Sequence, residues 1–389
     1  MDNIDYLQDK LSHFELKYPN RPLYCSLRMI GASIASLFIK NSKKIKDKII
    51  IVFDIKGELG DAIIASNFIY NLYIYLKDSN ITFILYYPNK EVLASIFTGL
   101  PKQILLTNNK KQTFNTLKIE LNRFPKVSLE IKTKNLRLNN LLESWHKFFI
   151  YNRKFFSLSS QIDTLANDYT EILEGKRINQ ADIGGILGLT EKFTYKIPIQ
   201  NEEKTLKKLN LENSKFITIQ RSVSASYNNS TNNKLWPKEY YQDLIYKLKE
   251  LFPNYKFVQI GANNKNFNTN FTGIDKNLQG KTSLEEIKVI LKHSSLHIDI
   301  EGGLVHLRHA LNGGPSIVLF GPTSQNIYGY SENLNLRTNA CRKPCEWITN
   351  DWMTHCPRKI DKNICMKSLT PDFVFNEIKN FIEQKNILI

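Results

Sequence analysis

The chain has 389 residues, 42% of them hydrophobic and 23% charged, a composition that fits a soluble globular protein with room for two cores. No apolar run reaches the roughly 20 residues that cross a bilayer, which argues against a helical membrane-spanning protein. Lysine and arginine number 53 against 37 acidic residues, a net charge of +16 spread along the chain with a pI of about 9.4. That charge fits a solvated surface or attraction to polyanions, and no nucleic-acid-binding module accompanies it, so specific nucleic-acid binding is not expected.

Residues 1–22 read as a polar helix ending at Pro19 or Pro22. Leu23, Leu27, Ile30, Ile34, Leu37 and Phe38 follow at helical spacing, and four lysines fall between Asn41 and Lys48. Such a segment either packs on a domain, the preferred reading, or lies as a basic amphipathic element on the anionic inner leaflet. The polar, acidic start predicts no secretory signal, hence a cytoplasmic protein with reduced cysteines, with a peripheral place on the inner membrane as the alternative.

Ile49 to Phe53 is a buried-type strand, and it leads through Asp54-Ile55-Lys56-Gly57-Glu58-Leu59-Gly60-Asp61 into a helix, Ala62 to Leu76. Ile81 to Tyr86 is the next strand. This β-loop-α-β unit lacks the Gly-x-Gly-x-x-Gly pattern, and no carboxylate closes its second strand, so dinucleotide binding is not expected. On its own, Asp61 reads as a carboxylate that caps the helix or offsets its dipole. Ile104 to Leu106 and Val127 to Ile131 suggest further strands. The basic run Lys132 to Arg137 reads as a solvated face, and the aromatic stretch Ser144 to Phe156 as core.

Lys196 to Ser214 reads as a linker running into a charged helix, Glu202 to Leu209. The strand Phe216 to Gln220 is followed by Arg221-Ser222-Val223, a polar loop, Lys234-Leu235-Trp236-Pro237 and a helix from Lys238 to Leu251. Lys234, a point charge on a loop, is either a phosphate grip or a surface lysine before a helix-starting proline. Phe257 to Ile260 is another strand, and Ser283 to Glu286 carries a capping-box pattern. Leu296, Ile298 and Ile300 then alternate along a strand, with His297, Asp299 and Glu301 on its other side. Gly302 and Gly303 open a short helix, Leu304 to Leu311, and the strand Ser316 to Phe320 closes on Gly321-Pro322-Thr323. Free N–H groups at a helix N-terminus just past a strand are where open α/β sheets bind phosphorylated ligands.

Four of the five cysteines, Cys341, Cys345, Cys356 and Cys365, fall within 25 residues, with His355 beside the third. Zinc ligands usually pair two to four residues apart, and only the first two cysteines do so. A structural Zn or Fe and, in an oxidising compartment, a disulfide knot are the competing readings. Four thiolates leave no open coordination position, so a metal here would be structural. Cys25 stands alone and is expected to be buried.

Taken together, these motifs resemble those of glycosyltransferase family 9, the heptosyltransferases. That family's acidic residue, small residue and Gly-Leu-x-His are matched by Glu301, Gly302 and Gly303-Leu304-Val305-His306, and its Leu-Phe-Gly-Pro-Thr by Leu319 to Thr323. Gly57 to Asp61 is similar to its Leu-Gly-Asp loop, and Lys234 to Pro237 to its Lys-x-Trp-Pro. The resemblance covers roughly residues 49–76 and 213–330. Glu301 in place of Asp, and Gly302 in place of Thr or Ser, depart from the pattern where the family holds its sugar nucleotide.

The resemblance implies an α/β GT-B fold, two doubly wound Rossmann-like domains facing a cleft. The expected boundaries are an N-terminal extension over 1–48, an acceptor-side domain over 49–197, a donor domain over 198–335, and a Cys-rich segment with a C-terminal helix over 336–389. It implies an inverting transferase that moves heptose or a related sugar from a nucleotide sugar, ADP-heptose first, to a hydroxyl of a bacterial surface glycan, lipid-linked or protein acceptor. Asp61 would be the base, with Gly60 beside it at the substrate. Lys234, with Arg221 and Ser222 near it, and the N–H groups of Gly302 to Leu304 would hold the diphosphate. Glu301 would contact ribose or sugar, and His306 would brace the donor turn or reach a phosphate. Catalysis would need no metal, while some relatives that modify autotransporters carry a cysteine-ligated iron near the place of Cys341 to Cys365. A sugar-nucleotide epimerase or hydrolase of the same fold, and a non-catalytic polyanion-binding protein, are the alternatives.

Overall fold

The computed structural model describes residues 43–44, 49–110, 117–121, 126–127, 131–151, 189, 193–221, 223, 232–263, 269–341, 344–346, 352–356, 360 and 363–385. The N-terminal amphipathic segment with Cys25, and Ser222, lie outside the described residues. The chain divides into two compact units between Ile197 and Pro198.

The first unit contains β1 (Lys43–Lys44), β2 (Ile49–Ile55), α1 (Leu59–Leu76), β3 (Ile81–Tyr86), α2 (Lys90–Ile96), β4 (Ile104–Thr107), β5 (Leu117–Leu121), β6 (Lys126–Val127), β7 (Ile131–Lys132) and α3 (Leu136–Tyr151). Its main sheet has the order β4-β3-β2-β5-β6, parallel except for the antiparallel β5–β6 pair, and β1 pairs separately with β7. The central strand β2 is an apolar run, IIIVFDI, because a strand covered on both faces has no solvent side to mark with polar residues. The single strand expected over Val127 to Ile131 is instead two short ones, β6 and β7, in different sheets. Helix α1 begins at Leu59, three residues before the apolar periodicity suggests, because Glu58 and Asp61 form a capping box ahead of it. Ala62, Ile69, Leu72 and Leu76 are buried on its inner side. Asn71 exchanges two hydrogen bonds with the backbone of Phe193, at 2.8 and 2.7 Å, which pins the unit's last segment onto α1.

The second unit contains α4 (Glu202–Lys208), β8 (Phe216–Ile219), α5 (Lys238–Leu251), β9 (Lys256–Gln259), β10 (Lys276–Asn277), α6 (Leu284–His293), β11 (Leu296–Ile300), α7 (Gly303–Ala310), β12 (Ser316–Leu319), α8 (Gln325–Tyr328), β13 (Leu334–Leu336), α9 (Ile364–Lys367) and α10 (Pro371–Lys385). Six parallel strands stand in the order β10-β9-β8-β11-β12-β13. Counted within the unit this is 3-2-1-4-5-6, the doubly wound order, whose switch point lies between the first and fourth strands. Ile217, Phe257, Ile298 and Ile317 form the core beneath α5 and α10, with Leu244 and Ile378 from those helices.

Strand β11 differs from its alternating pattern in one respect. Its second face is polar but is not exposed: all five residues are buried. His297 Nδ1 lies 3.0 Å from Thr218 Oγ1, and its Nε2 lies 3.3 Å from Asp299 Oδ2. Burial pushes the Asp299 carboxyl up, and burial with the nearby Arg308 pushes the His297 imidazole down. Arg308, itself fully buried, donates to the carbonyls of Leu291, Ser294, Gly314 and Pro315 and so closes the end of α6.

Candidate active site

At the carboxyl end of the second sheet, β8 runs out into Arg221 and β11 into Glu301 and Gly302, on the two sides of the switch point. Lys234, from the loop after β8, places Nζ 2.6 Å from Glu301 Oε2. The lysine side chain is 17% exposed and the glutamate side chain 9%, so this pair is largely withdrawn from water. Glu301 Oε1 lies 3.6 Å from His306 Nε2, and His306 Nδ1 lies 2.8 Å from the Tyr330 hydroxyl. Burial alone would raise the Glu301 carboxyl, but Lys234 and His306 hold it well below the usual carboxylate range. Gly302, the N-cap of α7, offers no side chain to its first-turn N–H groups, and Gly302, Gly303 and Leu304 are half-exposed. A fixed cation and an N-terminus without a side-chain cap thus stand side by side, an arrangement suited to an anion.

The mounting of Lys234 is extensive. Its N–H donates to Asn232 Oδ1 at 2.9 Å, and Asn233 donates through N to Met353 O at 2.6 Å and through Nδ2 to Trp352 O at 2.8 Å. Asn363 reaches Leu235 O at 2.8 Å, and the Trp236 indole donates to Leu369 O at 2.7 Å. Arg221 donates to Trp236 O and to Thr269 Oγ1, both at 3.2 Å, so it is tied to the far end of the same loop. The N–H groups of Cys345 and Glu346 both donate to Pro322 O, at 2.8 and 3.0 Å. The Cys-rich segment therefore braces the Lys234 loop and the Gly321-Pro322 turn together.

Cys341 and Cys345 are buried, and Cys356 and Cys365 are half-buried. Burial pushes the Cys365 thiol up to about 11, with the neighbouring Cys341 and Cys356 adding to the rise. Cys341 and Cys356 thus both lie within electrostatic reach of Cys365. Among the described residues, no group of three or more His, Cys, Asp or Glu side chains is arranged to hold a metal ion.

In the first unit the loop after β2 is a tight turn. Gly57 has φ +97°, and a β-carbon built there would sit 2.3 Å from Asp61 Oδ2, so only glycine fits. Asp61 Oδ2 accepts from Glu58 N at 3.0 Å, the helix-capping contact that its sequence position suggests. Gly60 is buried in the helix's first turn, Asp61 half-buried. The Tyr87 hydroxyl donates to Gly57 O at 3.1 Å, and burial, with Glu58 and Asp61 close by, pushes this phenol up. Below the loop, the buried Asp54 pairs with Lys118 at 2.8 Å and Lys56 at 3.0 Å.

Of the residues singled out from sequence, the structure brings together Lys234, Glu301, His306 and the Gly302–Leu304 turn, with Arg221 bonded to Trp236 at the far end of the lysine loop. Gly60 and Asp61 belong to the other unit. Sequence reasoning missed Tyr330, His309, Asn233 and Tyr87. A histidine three positions after His306, and so on the same helix face, was the one visible signal among them.

Residues 186–352 match the model of glycosyltransferase family 9 (heptosyltransferase). No curated protein matches the chain. Among solved structures, the chain is similar to the iron-containing dodecameric glycosyltransferase TibC of enterotoxigenic E. coli H10407, with 16% identity over 89% of this chain and 79% of that one and a TM-score of 0.57. The structure of TibC in complex with ADP-D-β-D-heptose aligns over the same shares at 15% identity, again with a TM-score of 0.57. A family 9 glycosyltransferase from Veillonella parvula DSM 2008 aligns at 16% identity over 88% of this chain and all 100% of its own, with a TM-score of 0.54. The fold is the GT-B α/β fold of these structures, and the family match lies over the Lys234–Glu301–His306 site.

Proposed function

We propose that this protein is an inverting glycosyltransferase that moves heptose or a related sugar from a nucleotide-sugar donor, ADP-heptose first, to a hydroxyl of a bacterial surface glycan, lipid-linked or protein acceptor. The observation that carries this reading is the withdrawn Lys234–Glu301 pair beside the N-terminus of α7 at the switch point. Lys234 exchanges part of its contact with Glu301 for the donor diphosphate, and the N–H groups of Gly302, Gly303 and Leu304 take the remaining phosphate oxygens. Glu301 then serves the ribose or sugar, with His306 behind it. Arg221 acts from the far end of the lysine loop, and Ser222 is assigned to the phosphates by resemblance alone.

Asp61 takes the acceptor's hydroxyl proton as that oxygen attacks the anomeric carbon from the face opposite the diphosphate. The carbon–oxygen bond to the diphosphate breaks, its electron pair leaves on the phosphate oxygen, and the configuration inverts. Gly60 is assigned beside Asp61 at the substrate by resemblance alone. No divalent metal takes part in this chemistry, so transfer should persist in EDTA, and its loss there in protein that keeps its fold and any cysteine-bound metal would remove the scheme.

Although the four thiols do not stand as a ligand group among the described residues, we propose that Cys341, Cys345, Cys356 and Cys365 take up a structural Zn or Fe. The support is their spacing, the closeness of Cys341 and Cys356 to Cys365, and a segment that braces the Lys234 loop. Metal analysis of the purified protein, showing about one Zn or Fe per chain that four Cys→Ser substitutions remove, tests this assignment. Among the described residues no helix is long and apolar enough to cross a membrane. The net positive charge fits a protein that works in the cytoplasm and touches the anionic inner leaflet without entering it. Calorimetry of the full chain with ADP-heptose tests the donor assignment: saturable binding supports it, and absence of binding overturns it. Free sugar or an epimer formed without acceptor would point to the hydrolase or epimerase alternative.

A further inference from the structure

The Glu301 site does not end at His306. His306 and His309 lie one turn apart on the same face of α7 and hold Tyr330 between them in two different ways. The Tyr330 hydroxyl meets His306 Nδ1 at 2.8 Å, while the His309 ring stacks on the Tyr330 ring with centroids 3.6 Å apart and planes 10° from parallel. His309 Nδ1 in turn pairs with Glu332, which follows Tyr330 by two residues. Tyr330 is buried, and the opposite nitrogen of His306 faces Glu301 Oε1 at 3.6 Å.

We propose that Tyr330 is a positioning residue: its hydroxyl donates to His306 Nδ1 and thereby directs the Nε2–H of that ring at Glu301, with the stacked His309–Glu332 pair holding the tyrosine ring in place. A neutral imidazole carries one proton, and the hydrogen bond made at one nitrogen decides which nitrogen has it. Burial pushes the Tyr330 phenol up, so it stays a donor. With Nδ1 accepting, the proton lies on Nε2, on the Glu301 side.

The consequence rests on the reading of Lys234 as the residue that grips the donor diphosphate. Glu301 is buried and now leans on Lys234 at 2.6 Å. When the lysine turns to a diphosphate, a buried carboxylate left without a partner is costly. A directed Nε2–H supplies the replacement and lets Lys234 change partners.

The test has two arms. In full-length protein labelled with 15N-histidine, the ring nitrogens of His306 should report the Nε2–H tautomer, and Tyr330→Phe, which keeps the stacked ring, should lose that preference. In calorimetry with ADP-heptose, Tyr330→Phe should raise Kd roughly five- to tenfold, the usual worth of one buried hydrogen bond. It should have no further effect in a His306→Gln background, where the amide nitrogen stands in for Nε2 and has no tautomer to choose. Glu332→Gln, which loosens the clamp from outside and leaves the buried residues in place, should shift Kd the same way by a smaller factor. An unchanged His306 tautomer in Tyr330→Phe, or effects of Tyr330→Phe and His306→Gln that simply multiply, would overturn the proposal. If the unsubstituted protein binds no ADP-heptose, the donor assignment fails, while the tautomer arm still decides the role of Tyr330.

Discussion

The two units put a carboxylate at the same topological place and use it differently. In each sheet the first strand is central, β2 or β8, and the fourth, β5 or β11, lies beside it, so both have a switch point at their carboxyl ends. In the first unit the nearby carboxylate, Asp61, is half-buried and accepts from the backbone of its own loop. In the second, Glu301 is buried and takes its partners from side chains, Lys234 lying 67 residues before it and His306 five after. A half-buried carboxylate in a first helical turn can be reached by an acceptor hydroxyl. One held by a buried cation is kept ionised and serves as a counter-charge. The contrast agrees with a base in one unit and a donor grip in the other.

The substitution that strains this contrast most is Asp61→Asn. The amide oxygen still accepts from Glu58 N, so the helix start and donor affinity should be kept while turnover falls about a hundredfold or more. Normal turnover in folded Asp61→Asn protein would reduce Asp61 to a helix cap. Lys234→Ala works on the other side. It should weaken the donor by roughly ten- to a hundredfold, the worth of a charge-assisted hydrogen bond, and slow transfer as well, because the charge meets the diphosphate before and during reaction. Calorimetry against turnover separates the two variants, and the comparison fails if both lose binding alike.

Gly57→Ala probes the geometry of the Asp61 loop while keeping the carboxylate itself. A left-handed backbone forced on alanine costs about 1–2 kcal/mol, and the added β-carbon must displace Asp61. Thermal melting should show the first cost and turnover the second, with the donor Kd of the second unit unchanged.

The smallest expected effect is on acid stability. Burial would raise the Asp54 carboxyl, but Lys118 and Lys56 more than offset this and leave it below its usual range. A carboxyl lowered on folding contributes stability above its unfolded value of about 3.9, and that contribution is lost as pH falls through the lowered folded value. Asp54→Asn should therefore melt lower at neutral pH and show a flatter decline below about pH 4. A parallel acid profile in the variant would remove Asp54 from the accounting.

Much of this molecule follows from its sequence. The apolar runs at Ile49 and Ile81, the alternation at Leu296 and the capping box at Ser283 are local signals read over a few residues, and each marks an element of the expected kind. The glycine turns and Lys234-Leu235-Trp236-Pro237 likewise announce a phosphate-suited loop, because backbone freedom and a fixed charge are properties of the residues themselves. The tertiary structure decided the rest. Val127 to Ile131 separates into β6 and β7 because neighbours outside the segment choose its pairing. His297 and Asp299 are buried because β11 is flanked by β8 and β12 and covered on both faces, which no alternation pattern within five residues reveals. The partnership of Lys234 with Glu301, and the grip of Tyr330 on His306, join residues 67 and 24 positions apart. Such pairings depend on how strands are ordered in the sheet, and strand order is set by long-range packing rather than by any window of the chain.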